Sequence, residues 1–226
     1  GLGDVYKRQV HTIADVGLAR TLAGCIFPVG LMMIVLVGGE LFTGNCLITM
    51  GVLEKKVRAS EMVRDLIIVW LSNLVGALLI DVIIFFSGQY NYTGGALGAY
   101  TIKVALGKTN LSFGTAFASG IMCNILVCGA ILLAASAKDV IGKLFACFFP
   151  ILAFVVSGYE HCVANMYYIP AGLMAMKEYG ISADGLSWLN FFVRNELPVT
   201  LGNIVGGIFV GTMYWAIYLR QGKKEK

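Results

Sequence analysis

Residues 38–45 read Gly38-Gly39-Glu40-Leu41-Phe42-Thr43-Gly44-Asn45, and residues 158–165 read Gly158-Tyr159-Glu160-His161-Cys162-Val163-Ala164-Asn165. Glycine, glutamate and asparagine recur at the same internal spacing. Each run lies in the middle of a long apolar block, Thr21–Leu53 in one case and Leu144–Met176 in the other. Each block is 33 residues long. A straight spanning helix needs about 20 residues, so each block is too long for one span and too short for two spans and a loop. A helix broken inside the membrane satisfies both limits. Irregular backbone at that depth is tolerated only where it is buried in protein or lines a cavity.

The rest of the chain agrees with a membrane setting. Hydrophobic residues make up 58% and charged residues 13%, too few to cover the surface of a soluble domain. Mean hydropathy is +0.80. The charges that exist cut out three further blocks of single-span length, Leu66–Ser87, Leu111–Ala137 and Leu197–Leu219. Asp81 interrupts the first of these and is expected to be solvated near the outer end of its helix. The net charge of +4 gives no reason to invoke nucleic acid. The six cysteines form no Cys-x-x-Cys pair and only two histidines are present, so no metal or cofactor spacing appears. The cysteines read as small apolar packing residues.

The duplication extends beyond the breaks. Phe27-Pro28 and Phe149-Pro150 precede them, and Asn73-Leu74-Val75-Gly76 echoes Asn203-Ile204-Val205-Gly206, at an offset of about 120 to 130 residues. The chain therefore reads as two three-helix halves with broken middle helices. The block around Asn124 has no counterpart in the first half, which predicts six native spans with the first one missing here. Residues 1–9 (GLGDVYKRQ) read as a remnant outside the fold, residues 10–219 as the membrane domain and residues 220–226 as a basic tail.

Lys55, Lys56, Arg58 and Arg64 follow the first block, Lys138 and Lys143 the third, and Arg220, Lys223, Lys224 and Lys226 the last. The alternate loops, 88–110 and 177–196, are longer and carry Lys103, Lys108, Lys177 and Arg194. The excess of positive charge places the first set, and the C-terminus, in the cytoplasm. An odd number of helices per half then makes the halves inverted, a plan that puts transport sites at the breaks.

Broken helices present backbone N–H groups where the second segment starts, and these favour anions. The first break adds the Thr43 hydroxyl, and the second adds His161, a natural proton donor to a weak-acid anion. Other roles compete for the same residues. A lone histidine is often structural, and Glu40 and Glu160 at equivalent places read as braces of the breaks. So do Gly38, Gly39, Gly44, Asn45, Gly158 and Asn165. Phe27, Leu31, Phe42 and Phe154 would ordinarily be packing or lipid-facing residues. Lys108 would ordinarily be an interfacial lysine. Gly76, Gly202, Gly206, Gly207 and Gly211 suit close helix contacts. An intramembrane enzyme using Glu160 and His161, or a purely structural membrane protein, are the alternatives to a transport protein.

Several runs resemble the formate/nitrite transporter family: Glu40-Leu41-Phe42-Thr43-Gly44, Val156-Ser157-Gly158-Tyr159-Glu160-His161 with Ala164-Asn165-Met166, Cys123-Asn124-Ile125-Leu126-Val127-Cys128, and Pro198-Val199-Thr200-Leu201-Gly202-Asn203. The resemblance spans residues 20–219. It implies an all-α, aquaporin-like protomer in a homopentamer of the cytoplasmic (inner) membrane, with a pore in each protomer for small monovalent anions, formate first and nitrite or hydrosulfide as alternatives. It implies an inner constriction at Phe42 with Leu31 and Thr43, and an outer one at Phe27, Val127 and Phe154. His161 would lie between them, near Thr43 and Asn124. Lys108 would draw anions to the vestibule, and His161 would supply a proton so that the substrate crosses as the neutral acid.

Overall fold

The computed structural model describes residues 8–220. The segment 1–7 of the expected remnant and residues 221–226 of the tail lie outside the described residues. The fold is all-helical. Its main elements are α1 (Val16–Val37), α2 (Phe42–Leu53), α3 (Ala59–Phe86), α4 (Ala96–Thr109), α5 (Phe113–Ser136), α6 (Val140–Ser157), α7 (Cys162–Tyr179) and α8 (Trp188–Leu219). Five of them, α1, α3, α5, α6 and α8, are long and apolar enough to cross a membrane. They correspond one to one with the five apolar blocks.

Both middle helices are broken where the duplicated runs lie. Gly38 ends α1 at φ +88° and Gly158 ends α6 at φ +72°, a left-handed conformation that a side chain would strain. The chain then runs extended to Leu41 (φ −126°, ψ 120°) and His161 (φ −120°, ψ 116°), and α2 and α7 begin. The two breaks thus repeat in backbone angle as well as in sequence. Pro28 sits at a turn within α1, and Pro150 inside α6 withholds one N–H from the helix ladder.

Small residues hold the second half together, α8 against α5. A side chain at Gly202 would run into the Phe117 carbonyl, and one at Gly206 into the Ile121 carbonyl. The α5–α8 pair therefore approaches backbone to backbone, as membrane helices with small residues do. Gly207 abuts Cys46 and Asn124. Gly76 differs from its repeat mate Gly206: nothing stands within 4 Å of where its Cβ would be. The expected close contact at Gly76 is not made among the described residues. At the far end of α8, Trp215 Nε1 donates to Glu54 Oε1 at 2.7 Å, tying that helix to the end of α2.

Two expectations need correction. The segment 88–110 is not a loop: it contains α4, which packs on α7 through Gly98 against Tyr179 and Ala105 against Gly172. Two lysines and two glycines within α4 hide it in the sequence, and its partner helix stabilises it. Asp81 is not solvated but fully buried, at 0% exposure. In addition, α8 starts at Trp188, earlier than the apolar block, and a π-helical turn at Phe191–Glu196 carries Asn195 and Glu196 inward. Such turns widen a helix locally and gather at functional positions. The cysteines are free, and all but Cys25 are buried.

Candidate functional site: the meeting of the two breaks

Each break leaves backbone groups without helical partners, and an asparagine from the third helix of the same half supplies them. Asn73 Nδ2 donates to the Glu40 carbonyl at 3.1 Å, and its Oδ1 accepts from Phe42 N–H at 3.0 Å. Asn203 does the same for the second break: Nδ2 donates to the Glu160 carbonyl at 3.1 Å and Oδ1 accepts from Cys162 N–H at 3.0 Å. Asn203 Nδ2 also reaches the Gly120 carbonyl at 2.8 Å, which joins α5 to the clasp. The repeat marks both asparagines in the sequence. Their role as clasps follows only from the geometry.

A second tier repeats as well. Asn45 Nδ2 donates to Glu40 Oε2 at 2.7 Å and to Asp65 Oδ2 at 2.9 Å. Asn165 Nδ2 donates to Glu160 Oε2 and to Asn195 Oδ1, both at 2.7 Å. Glu40 and Glu160 therefore brace their breaks through the asparagine five residues on. The halves differ in burial, since Glu40 is exposed and Glu160 is buried.

Burial of Glu160 demands a cation, and Lys108 provides it at 2.8 Å, with side chains 15% and 7% exposed respectively. The ammonium also lies 5.3 Å from the centre of the Tyr168 ring, and Asn195 Nδ2 donates to the Lys108 carbonyl at 3.0 Å. Lys108 is thus a paired, mostly buried residue and not a free ammonium in a vestibule. Replacing Lys108 with methionine should destabilise the protein by about 3–5 kcal/mol, the usual effect of stranding one partner of a buried pair. Thermal unfolding in detergent checks this, and Lys108→Met combined with Glu160→Gln should recover part of the loss.

The two breaks meet at His161. Its Nε2 lies 2.9 Å from Thr43 Oγ1, a contact that joins residues from opposite halves. Ala164 N–H donates to His161 Nδ1 at 3.1 Å, so the imidazole caps α7 with its own ring. A nitrogen that accepts carries no proton, so the neutral ring holds its proton on Nε2 and directs it at Thr43. Asn124 stands behind this contact. Its Nδ2 donates to the Thr43 carbonyl at 3.1 Å and to the Asn203 carbonyl at 2.6 Å, and Cys128 Sγ donates to the same Thr43 carbonyl at 3.4 Å.

A cavity of about 350 Å³ reaches this point. Its wall includes Phe27, Leu31, Val127, Phe154 and His161, with Asn73 and Glu40 among the few polar groups. Phe27 and Phe154 meet edge to face at 5.3 Å between ring centres, and Phe154 stands 6.1 Å from the His161 ring. Phe42, Thr43 and Asn124 are buried and stay outside the wall, as does Lys108. The sequence reading missed one buried acid, Glu196, 2% exposed. Its Oε2 accepts from Thr200 at 3.5 Å, and its Oε1 has no partner among the described residues. The signal was available, because the repeat puts an ordinary leucine, Leu66, in the matching place.

Five apolar spans with two opposed breaks that meet at a polar contact beside a cavity define a multi-pass membrane transport protein. The family model described as formate/nitrite transporter matches residues 3–216, and the chain belongs to that family. It is 40% identical over 220 residues to a probable formate transporter of Methanothermobacter thermautotrophicus, covering 91% of this chain and 77% of that protein. It is 39% identical over 203 residues to the formate channel FocA of Haemophilus influenzae, covering 84% and 71%. In three dimensions it is similar to a pentameric formate channel with formate bound, with a TM-score of 0.84 and 36% identity over 96% of this chain and 91% of that one. These relatives are channels and transporters, not enzymes.

Proposed function

We propose that the protein is a channel for small monovalent anions, formate foremost, in which His161 hands a hydrogen bond or a proton to the passing substrate. The single observation that supports this best is the His161 Nε2–Thr43 contact at 2.9 Å, at the junction of the breaks and against the cavity. An apolar slit such as that between Phe27 and Phe154 is costly for a bare anion. A donor at its inner side offsets part of that cost. The Nδ1 contact with Ala164 adds a condition. Neutral His161 can lend the Nε2 hydrogen, whereas full proton transfer first requires a proton on Nδ1. Nδ1 must then release Ala164 N–H, so proton delivery and loosening of the α7 start become one event.

Formate is favoured over nitrite and hydrosulfide because formate channels and transporters are among the relatives at 35% identity or more. Likeness to a pentameric formate channel supports a homopentamer, and the basic residues after the first, third and last apolar blocks support a channel domain 10–219 in the cytoplasmic membrane with its C-terminus inside. The inner constriction is assigned to Phe42, Leu31 and Thr43, and the outer one to Phe27, Val127 and Phe154. Stopped-flow anion flux in proteoliposomes, run with formate, nitrite and hydrosulfide, tests the assignment. Formate should move fastest. Equal rates with and without protein for all three anions would refute it.

A further inference from the structure

Positive charge at a pore mouth raises the local concentration of anions and the rate at which they enter, and Lys108 is already neutralised by Glu160 at 2.8 Å. A different cation is placed for the task. Arg20, Gly24 and Phe27 share one face of α1. That face packs on α6: a Cβ on Gly24 would stand 3.2 Å from Val156 Cγ2, and Phe27 meets Phe154. Arg20 continues the face two turns beyond Phe27, about 10 Å along the helix. Its guanidinium lies 4.0 Å from where a Cβ of Gly158 would be, directly over the second break.

Arg20 is exposed and makes no ion pair among the described residues. The acids near it are engaged elsewhere. Asp15 accepts from Leu18 N–H at 2.8 Å, and Glu160 is held by Lys108 and Asn165. On α4, burial raises the Tyr100 hydroxyl above its ordinary value and the Arg20 charge opposes that rise.

We infer that Arg20 is the residue that collects anions at the outer mouth and feeds them to the Phe27–Phe154 slit. This rests on the anion-channel function proposed above. A structural role competes with it, since a guanidinium beside Gly158 also complements the negative C-terminal end of α6. The two roles differ in their response to salt. Collection is a long-range field effect, screened over about 30 Å at 0.01 M ionic strength and about 3 Å at 1 M. A local capping contact is short-range and survives salt.

The test is formate flux into proteoliposomes holding wild type, Arg20→Gln or Arg20→Lys, with ionic strength set by the impermeant anion gluconate. Arg20→Gln should lower the initial rate about three- to tenfold at about 0.01 M and match wild type at about 1 M. Arg20→Lys should stay near wild type throughout. The inference is overturned if Arg20→Gln equals wild type at low salt, if its deficit persists at high salt, or if it fails to assemble. Wild type that carries neither formate, nitrite nor hydrosulfide would instead refute the channel itself, and the collector with it.

Discussion

Replacing His161 with phenylalanine is expected to reduce protein-dependent formate uptake at acidic external pH to the level of protein-free vesicles. The imidazole is the donor at the meeting point of the two breaks, with its Nε2 on Thr43 and its Nδ1 capping α7. Phenylalanine fills the same volume, keeps the contact with Phe154 and removes both functions. Leaving an anion without its donor in an apolar slit adds a few kcal/mol to the barrier, a rate loss on the order of 10²-fold or more. The sign with pH follows from the chemistry. Lower external pH supplies the proton that reaches Nδ1, so wild-type uptake rises as pH falls and the variant loses that rise. A variant that assembles normally and still imports formate faster at low pH would show that the proton travels by another route.

The second large effect is expected at Asn203. Asn203→Val leaves Cys162 N–H and the carbonyls of Glu160 and Gly120 without their side-chain partner, all in a buried setting. Each buried polar group left unpaired costs about 1–3 kcal/mol, so the sum approaches the whole stability of a typical domain. The variant should fail to reach the folded oligomer, as judged by size exclusion after detergent extraction. Asn73→Val removes two hydrogen bonds at a half-buried position and should be milder. Equal damage at the two sites would mean that the halves are not braced as differently as their burial indicates.

The breaks themselves were legible in the sequence. Glycine at 38 and 158 must adopt a left-handed turn, and the paired glutamates and asparagines mark what braces it. The apolar blocks correspond to spans because few charges interrupt them. What stayed hidden depends on partners distant in sequence. Lys108 and Glu160 pair across 52 residues, so nothing local reveals that the lysine is neutralised. Asp81 reads as solvated because a lone aspartate in an apolar run usually seeks water, whereas the fold encloses it. Helix α4 is modest in hydropathy and takes its stability from α7, so its segment reads as a loop. Glu196 was detectable as a breach of the repeat against Leu66, yet its burial required the π-helical turn before Leu197.

The most direct measurement is uptake of isotope-labelled formate by proteoliposomes holding the purified wild-type protein, against protein-free vesicles at the same pH gradient. A channel through the His161–Thr43 junction predicts uptake well above the protein-free rate, steeper as the external pH falls. Uptake indistinguishable from protein-free vesicles at every pH would contradict it.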